Sequence, residues 1–295
     1  MHDGPTRDGG EGPLDFYDFV FLAFGIIFGS FANVLIARLP DDQTIGGRSR
    51  CPVCKHELAP SDLVPLLSWL WLRARCRYCR APISARYPAV ELLTGFLFLA
   101  TWRYVGVVNA QLALHLIYCL SMIVIIFTDF ERAIIPNTVI LPITAIALVA
   151  AVFRLDPAAP SLLAGVLTAI GGAGLFLLLY VLSGGGGMGM GDVKLMLFLG
   201  LALGPLKVLL AILAGSVPAL LVAVIAMTLF RPRLQQLKSV SVSLADEEEP
   251  DIEERFLGIM MINGKPAVPL GTFLALGYFF AQFFGDQVIK IWLGF

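Results

Sequence analysis

The chain has 295 residues, 58% of them hydrophobic and 15% charged, with a mean hydropathy of +0.82 and a formal net charge of -1. Soluble domains are about 45–50% apolar and about 25% charged, so this composition excludes an ordinary soluble fold and indicates a polytopic membrane protein. The near-neutral balance says little about partners, because arginine is crowded into one loop.

The leader, 1–15, reads MHDGPTRDGGEGPLD. It is acidic, and no small-residue cleavage site follows, so the first apolar segment is expected to remain as a membrane helix. A span needs roughly 20 apolar residues. Eight segments are predicted, at 16–37, 89–108, 111–128, 133–153, 161–182, 192–205, 207–230 and 268–292. The sixth is short, and its start at a glycine run is expected to be unwound, which membranes tolerate only where backbone lines protein or water. The expected fold is thus an all-α polytopic membrane protein of about eight transmembrane helices. It divides into an extracytoplasmic tail (1–15), a first transmembrane helix (16–38), a cytoplasmic loop domain (39–88) and a transmembrane core (89–295) carrying an acidic loop at 231–267.

Between Arg38 and Arg86 stand nine Lys/Arg against four Asp/Glu. The positive-inside rule therefore puts this loop in the cytoplasm and the N-terminus outside. Threading eight spans from that start leaves 16 of the 21 Lys/Arg on the cytoplasmic side.

The same loop holds CPVC (Cys51, Cys54) and, 21 residues later, CRYC (Cys76, Cys79). Paired knuckles of this kind close four thiolates tetrahedrally on zinc, and a loop this small has too little core to fold without a staple. Cytoplasmic disulfides are rare, so structural zinc is favoured over redox chemistry. Four protein ligands leave no open position for catalysis. Cys119 and His115, inside a span, read as packed residues, and His56 as a bystander between the knuckles. The run ADEEEPDIEE in the 231–267 loop reads as a solvated acidic segment. No internal repeat and no nucleotide-binding glycine pattern is found, and no nucleic-acid partner is expected.

Two acids remain. Asp129 closes the third span in IIFTDFERAIIPN, and Asp192 opens the sixth in GMGDVK. The threaded topology puts both at the cytoplasmic end. Ionisable groups in spans cost about 2.5–3.5 kcal/mol on insertion scales, which makes them functional hypotheses by default. Two such carboxylates in contact cannot both ionise easily and come to share a proton. A shared proton suits amide hydrolysis: one carboxylate activates water while the protonated partner donates to the scissile carbonyl oxygen. Gly189 and Gly191 would let an extended substrate approach Asp192, and Gly184 to Gly187 would give a hinge. Read alone, the stretch fits equally a flexible connection with Asp192 as an N-cap.

GxGD opening a span, with a second aspartate ending an earlier one, resembles the intramembrane aspartyl protease group. GSFANVLIARLP (29–40), the paired CxxC knuckles, RYPAVELLTG (86–95), DFERAIIPN (129–137), GMGDVKL (189–195) and PLGTFLALG (269–277) narrow the resemblance to the bacterial type IV prepilin peptidase (leader peptidase/N-methyltransferase) family. The resemblance implies an inner-membrane enzyme that cuts the basic leader from prepilins or pseudopilins after a glycine at the cytoplasmic face. It also implies N-methylation of the new N-terminus with S-adenosylmethionine. By position, Asp129 and Asp192 would be the protease acids, Gly189, Gly191 and Lys194 part of the motif, and Cys51, Cys54, Cys76 and Cys79 the zinc ligands. Glu91 matches the acid of the ELLTG segment. Asn137 and Ala74 depart from the family pattern, which often has aspartate and glycine there. The rival readings are an ion-coupled transporter with a glycine-broken helix and a zinc-loop scaffold without catalysis.

Overall fold

The computed structural model describes residues 15–184, 188–243, 255–256, 259–262, 265–267 and 269–294. The tail before Asp15, Gly185 to Gly187 of the expected hinge, and the acidic run 245–254 lie outside the described residues. The chain forms two compact units, Met1–Val124 and Ile125–Phe295.

The first unit is organised by helices α1 (Phe16–Arg38) and α3 (Arg86–Val105), with the short α2 (Leu67–Trp71) in the loop between them; α4 (Ala110–Arg132) begins here and ends in the second unit. A capping box starts α1: Asp15 accepts the Asp18 N–H and Asp18 accepts the Asp15 N–H, each at 3.0 Å. Helices α1 and α3 pack along their length. The contact needs glycine on both sides, since a Cβ on Gly25 would lie 2.7 Å from the Gly95 Cα. Close approach through small residues is how apolar helices associate where hydrophobicity offers no gain. Charges mark both ends of the pair. Arg103 bonds the buried Asp18 at 2.6 Å, and Arg38 closes the other end by donating to the carbonyls of Thr44, Ile45 and Gly46 at 2.6–3.2 Å. From Asp18 to Arg38 the helix rises about 30 Å, the hydrocarbon thickness of a bilayer.

The second unit contains the last turns of α4, then α5 (Asn137–Phe153), α6 (Leu162–Leu182), α7 (Met190–Ser243) and α8 (Leu270–Leu293). Helix α7 is the centre, packed against α5, α6 and α8. It is continuous in name only: Gly204 has φ 72° and ψ -178°, splitting it into arms 190–203 and 205–243. Pro160 fills the space where a Gly204 side chain would stand, 2.8 Å from the Cβ position. Three short strands, β1 (Arg255–Phe256), β2 (Ile259–Ile262) and β3 (Lys265–Ala267), pair antiparallel between α7 and α8.

Helical segments thus occupy each of the eight expected positions, counting the arms of α7 separately. Among the described residues only four helical stretches are long and apolar enough to cross a membrane: Phe16–Asp41, Ala110–Arg132, Leu162–Leu182 and Met190–Val222. The count of eight is not reached on those criteria. Helix α5 has 17 residues, α3 carries Glu91 and Arg103, and α8 carries Gln282, Asp286 and Lys290, which dilute their hydropathy.

Candidate active site and metal centre

Asp129 lies in the last turn of α4, whose end is closed by Ala133 in a left-handed conformation (φ 51°) donating its N–H to the Asp129 carbonyl at 2.7 Å. Three residues later Pro136 caps α5. This tight corner leaves the Asp129 side chain buried and turned toward the start of α8. Its Oδ2 accepts the backbone N–H of Thr272 at 2.6 Å and the Thr272 hydroxyl lies 3.0 Å away, a hydroxyl also within 3.1 Å of the Ile126 carbonyl. Thr272 stands in the first turn of α8, where unsatisfied amides point outward and favour an anionic acceptor.

Asp192 stands in the first turn of α7 and is buried as well. Its Oδ2 accepts the Gly189 N–H at 3.2 Å while its own N–H donates to the Gly189 carbonyl at 3.1 Å. The side chain therefore reaches back to the residue before the helix, so Asp192 is not itself an N-cap; it takes the reciprocating role of a capping box. The two carboxyl groups are electrostatic neighbours.

The glycines around this pair have a geometric reason. A Cβ on Gly191 would lie 2.9 Å from the Ile135 Cβ, and one on Gly271 would lie 2.7 Å from the Ile135 Cδ1 and 3.0 Å from the Asp129 Oδ2. Ile135 is thus wedged between the starts of α7 and α8, in space that both glycines vacate. Gly189 is open, with the Asp192 Oδ2 at 3.5 Å from its Cβ position. Lys194 donates to the Asn137 Oδ1 at 2.7 Å, tying α7 to α5. Sequence reasoning missed Thr272, Gly271 and Ile135. Thr272 and Gly271 had a signal in the motif PLGTFLALG, but spacing could not connect Thr272 to an acid 143 positions away.

The four cysteines of the first unit converge, all Sγ atoms lying within 4.8 Å of one another and those of Cys51 and Cys79 at 3.8 Å. Four sulfurs at about 2.3 Å from a tetrahedral zinc would stand about 3.8 Å apart. The knuckles repeat each other locally. Lys55 and Arg80 adopt left-handed conformations (φ 59° and 61°). They donate to the carbonyls of Cys51 and Cys76 at 2.9 and 3.0 Å. Each is framed by an isolated bridge, Arg50 with Glu57 and Arg75 with Pro82. The Cys54 backbone N–H, chiefly, lowers Cys51 to about 7. Against the Ala81 N–H, burial and the three neighbouring sulfurs push Cys79 up to about 11. Four thiolates so crowded need a cation, and the set fits a closed structural zinc site. His56 packs against Tyr78 with ring centroids 3.7 Å apart and planes tilted by 36°, and is outside the thiol cluster.

Glu91 is elsewhere, buried in α3, where its Oε2 accepts the Leu66 N–H at 2.8 Å and Ser30 of α1 bonds its carboxyl. Cys119 is buried, and His115 is packed between the rings of Tyr104 and Tyr118.

Comparison with known proteins agrees with this layout. Residues 23–105 match the bacterial peptidase A24 N-terminal domain, and residues 116–224 match the type IV leader peptidase family. A prepilin leader peptidase/N-methyltransferase of Myxococcus xanthus is 49% identical over 132 residues, 44% of this chain and 38% of its own length. One from Aeromonas hydrophila is 32% identical over an aligned length of 320, covering 95% of each chain. One from Bacillus subtilis is 36% identical over 193 residues, 63% of this chain and 73% of its own. No solved structure matches. The Aeromonas alignment runs nearly end to end, and both matched regions follow in order; the chain belongs to the type IV prepilin peptidase family.

Proposed function

We propose that this protein is a membrane-embedded aspartyl endopeptidase that removes the leader from type IV prepilins or pseudopilins. The observation that carries the reading is the convergence of two buried acids, Asp129 and Asp192, at helix ends in one compact unit, each held by a backbone N–H. The relatives' printed name, prepilin leader peptidase/N-methyltransferase, supplies the substrate class.

In this mechanism the acids titrate as a pair that holds one proton. The ionised member takes a proton from a water molecule, the water attacks the scissile carbonyl, and the protonated member donates to the carbonyl oxygen. Thr272 and Gly189 fix the carboxyl orientations, so neither acid has to reorganise during the reaction. Gly189, open beside Asp192, leaves room for an extended peptide backbone. Lys194 positions the start of α7 through Asn137. Cleavage after a glycine, at the cytoplasmic face of a bacterial inner membrane crossed by eight helices, completes the proposal. The positive charge of 39–88 supports that orientation.

Zinc held by Cys51, Cys54, Cys76 and Cys79 supplies structural stability, with no open coordination position. N-methylation of the new N-terminus with S-adenosylmethionine rests on the second half of the relatives' name and on no side chain described above. The transporter reading finds a glycine break, at Gly204, but the family match does not support it. A non-catalytic scaffold leaves two buried acids without a use.

The test is incubation of purified protein with a synthetic prepilin N-terminal segment and S-adenosylmethionine, read by mass spectrometry. Cleavage with an added methyl is expected. Asp129→Asn and Asp192→Asn should each lower cleavage by at least about a hundredfold, the lower range for loss of general acid–base catalysis. Near wild-type cleavage in either variant would sink the assignment of the pair.

A further inference from the structure

Helix α2 presents an apolar face with no partner among the described residues: Leu67 and Leu70 are each 63% exposed and Trp71 86%. These positions, i, i+3 and i+4, share one side of the helix, while Trp69 turns inward and donates its Nε1–H to the Ile83 carbonyl at 3.2 Å. The exposed Arg73 and Arg75 follow directly.

The height of this face is fixed by α3. Leu66, the residue before α2, donates its N–H to Glu91 at 2.8 Å, and Glu91 is five residues, roughly 8 Å, inside the start of α3 at Arg86. Leu66 adopts an unfavourable backbone conformation there (φ 60°, ψ -50°), so the bond to Glu91 holds a strained chain down. Trp69 makes a second tie to Ile83, three residues before α3. The Arg86 guanidinium lies over the Tyr87 ring at 4.9 Å, a cation and an aromatic at the mouth of the helix.

Resting on the reading that α1 and α3 cross a bilayer, we propose that α2 is an interfacial anchor. Leu67, Leu70 and Trp71 enter the headgroup–acyl boundary of the membrane that holds α3, and Arg73 and Arg75 meet anionic lipid phosphates. Interfacial helices bury their apolar faces about 5–10 Å into that boundary, and Trp with flanking Arg is the composition such a layer favours. Glu91 is then a positioning residue: its buried carboxyl ties the residue before α2 to α3.

The experiment places the full-length protein in nanodiscs of phosphatidylcholine and phosphatidylglycerol, with and without dibrominated acyl chains, and compares it with Trp71→Phe. The difference in fluorescence between the two proteins reports Trp71 alone, and zinc content checks that the variant loop is intact. Brominated lipid should quench the difference signal at least about twofold, and aqueous acrylamide should quench it weakly. Equal lipid quenching of both proteins, with the difference signal open to acrylamide, would overturn the anchor and leave α1 and α3 in the membrane. A difference signal shielded from both quenchers would also overturn it, since protein would then cover the face. No lipid quenching of any tryptophan would overturn the membrane reading together with the anchor.

Discussion

Thr272 gives Asp129 a backbone N–H at 2.6 Å and a hydroxyl at 3.0 Å. Thr272→Val removes the second and keeps the first in nearly the same volume. Hydrogen bonds to charged groups are worth about 1.5–3 kcal/mol, so leader cleavage should fall by roughly ten- to a hundredfold in kcat with KM little changed. Unchanged kcat would mean that the hydroxyl serves only the Ile126 carbonyl. Gly271→Ala is a sharper lesion, because the new Cβ would stand 3.0 Å from the Asp129 Oδ2 and 2.7 Å from Ile135. It should abolish cleavage while leaving the helix content measured by circular dichroism intact. Away from these acids, Arg73 and Ala74 are consecutive left-handed residues (φ 53° and 56°) just before the third cysteine. An L-residue in that conformation costs about 1–2 kcal/mol that glycine does not. Ala74→Gly should therefore raise the resistance of the loop to thermal loss of zinc; a lower release temperature would show that the alanine methyl is needed where it stands.

At the scale of elements, local patterns were legible and long-range contacts were not. The predicted spans 192–205 and 207–230 divide close to Gly204, because hydropathy and a Gly-Pro pair both interrupt there. Gly191 is expected from the sequence to admit an extended substrate beside Asp192, yet the space its missing Cβ leaves is taken by Ile135, a contact across more than fifty residues that no periodicity announces. Spacing alone identified the four thiols, since the knuckle is a local structure closed within six residues. Helix α2 escaped notice because five residues carry too little pattern for a 3.6-residue period. The break in α7 is built around Pro160, and its backbone geometry is one that only glycine adopts without a cost of about 1–3 kcal/mol. Gly204→Ala should lower thermal stability by at least that amount, with cleavage per folded molecule retained, because Asp192 is on the arm before the break. Stability equal to wild type would mean that the second arm can rotate away from Pro160 freely.

For the whole molecule, the division of labour follows the two compact units. All four thiols belong to Met1–Val124, and both acids, with Thr272 and Gly189, belong to Ile125–Phe295. Burial and the neighbouring sulfurs push the Cys79 thiol up to about 11, so a metal at this cluster would compete with protons for the thiols and acid would weaken its hold. Without the proposed metal the loop has two knuckles, a five-residue helix and little else to bury, and it should unfold locally. The acids keep their hydrogen bonds, because every donor to them among the described residues comes from their own unit. Cys51→Ser combined with Cys76→Ser should therefore lower bound zinc from about one equivalent to near zero and make residues 39–88 sensitive to protease. It should leave peptide cleavage well above that of Asp192→Asn. Metal analysis, limited proteolysis and the leader assay on the same preparation read all three quantities. Cleavage falling to the Asp192→Asn level with α-helix content preserved would show that the zinc loop takes part in the peptidase reaction, and the assignment of catalysis to the second unit alone would fail.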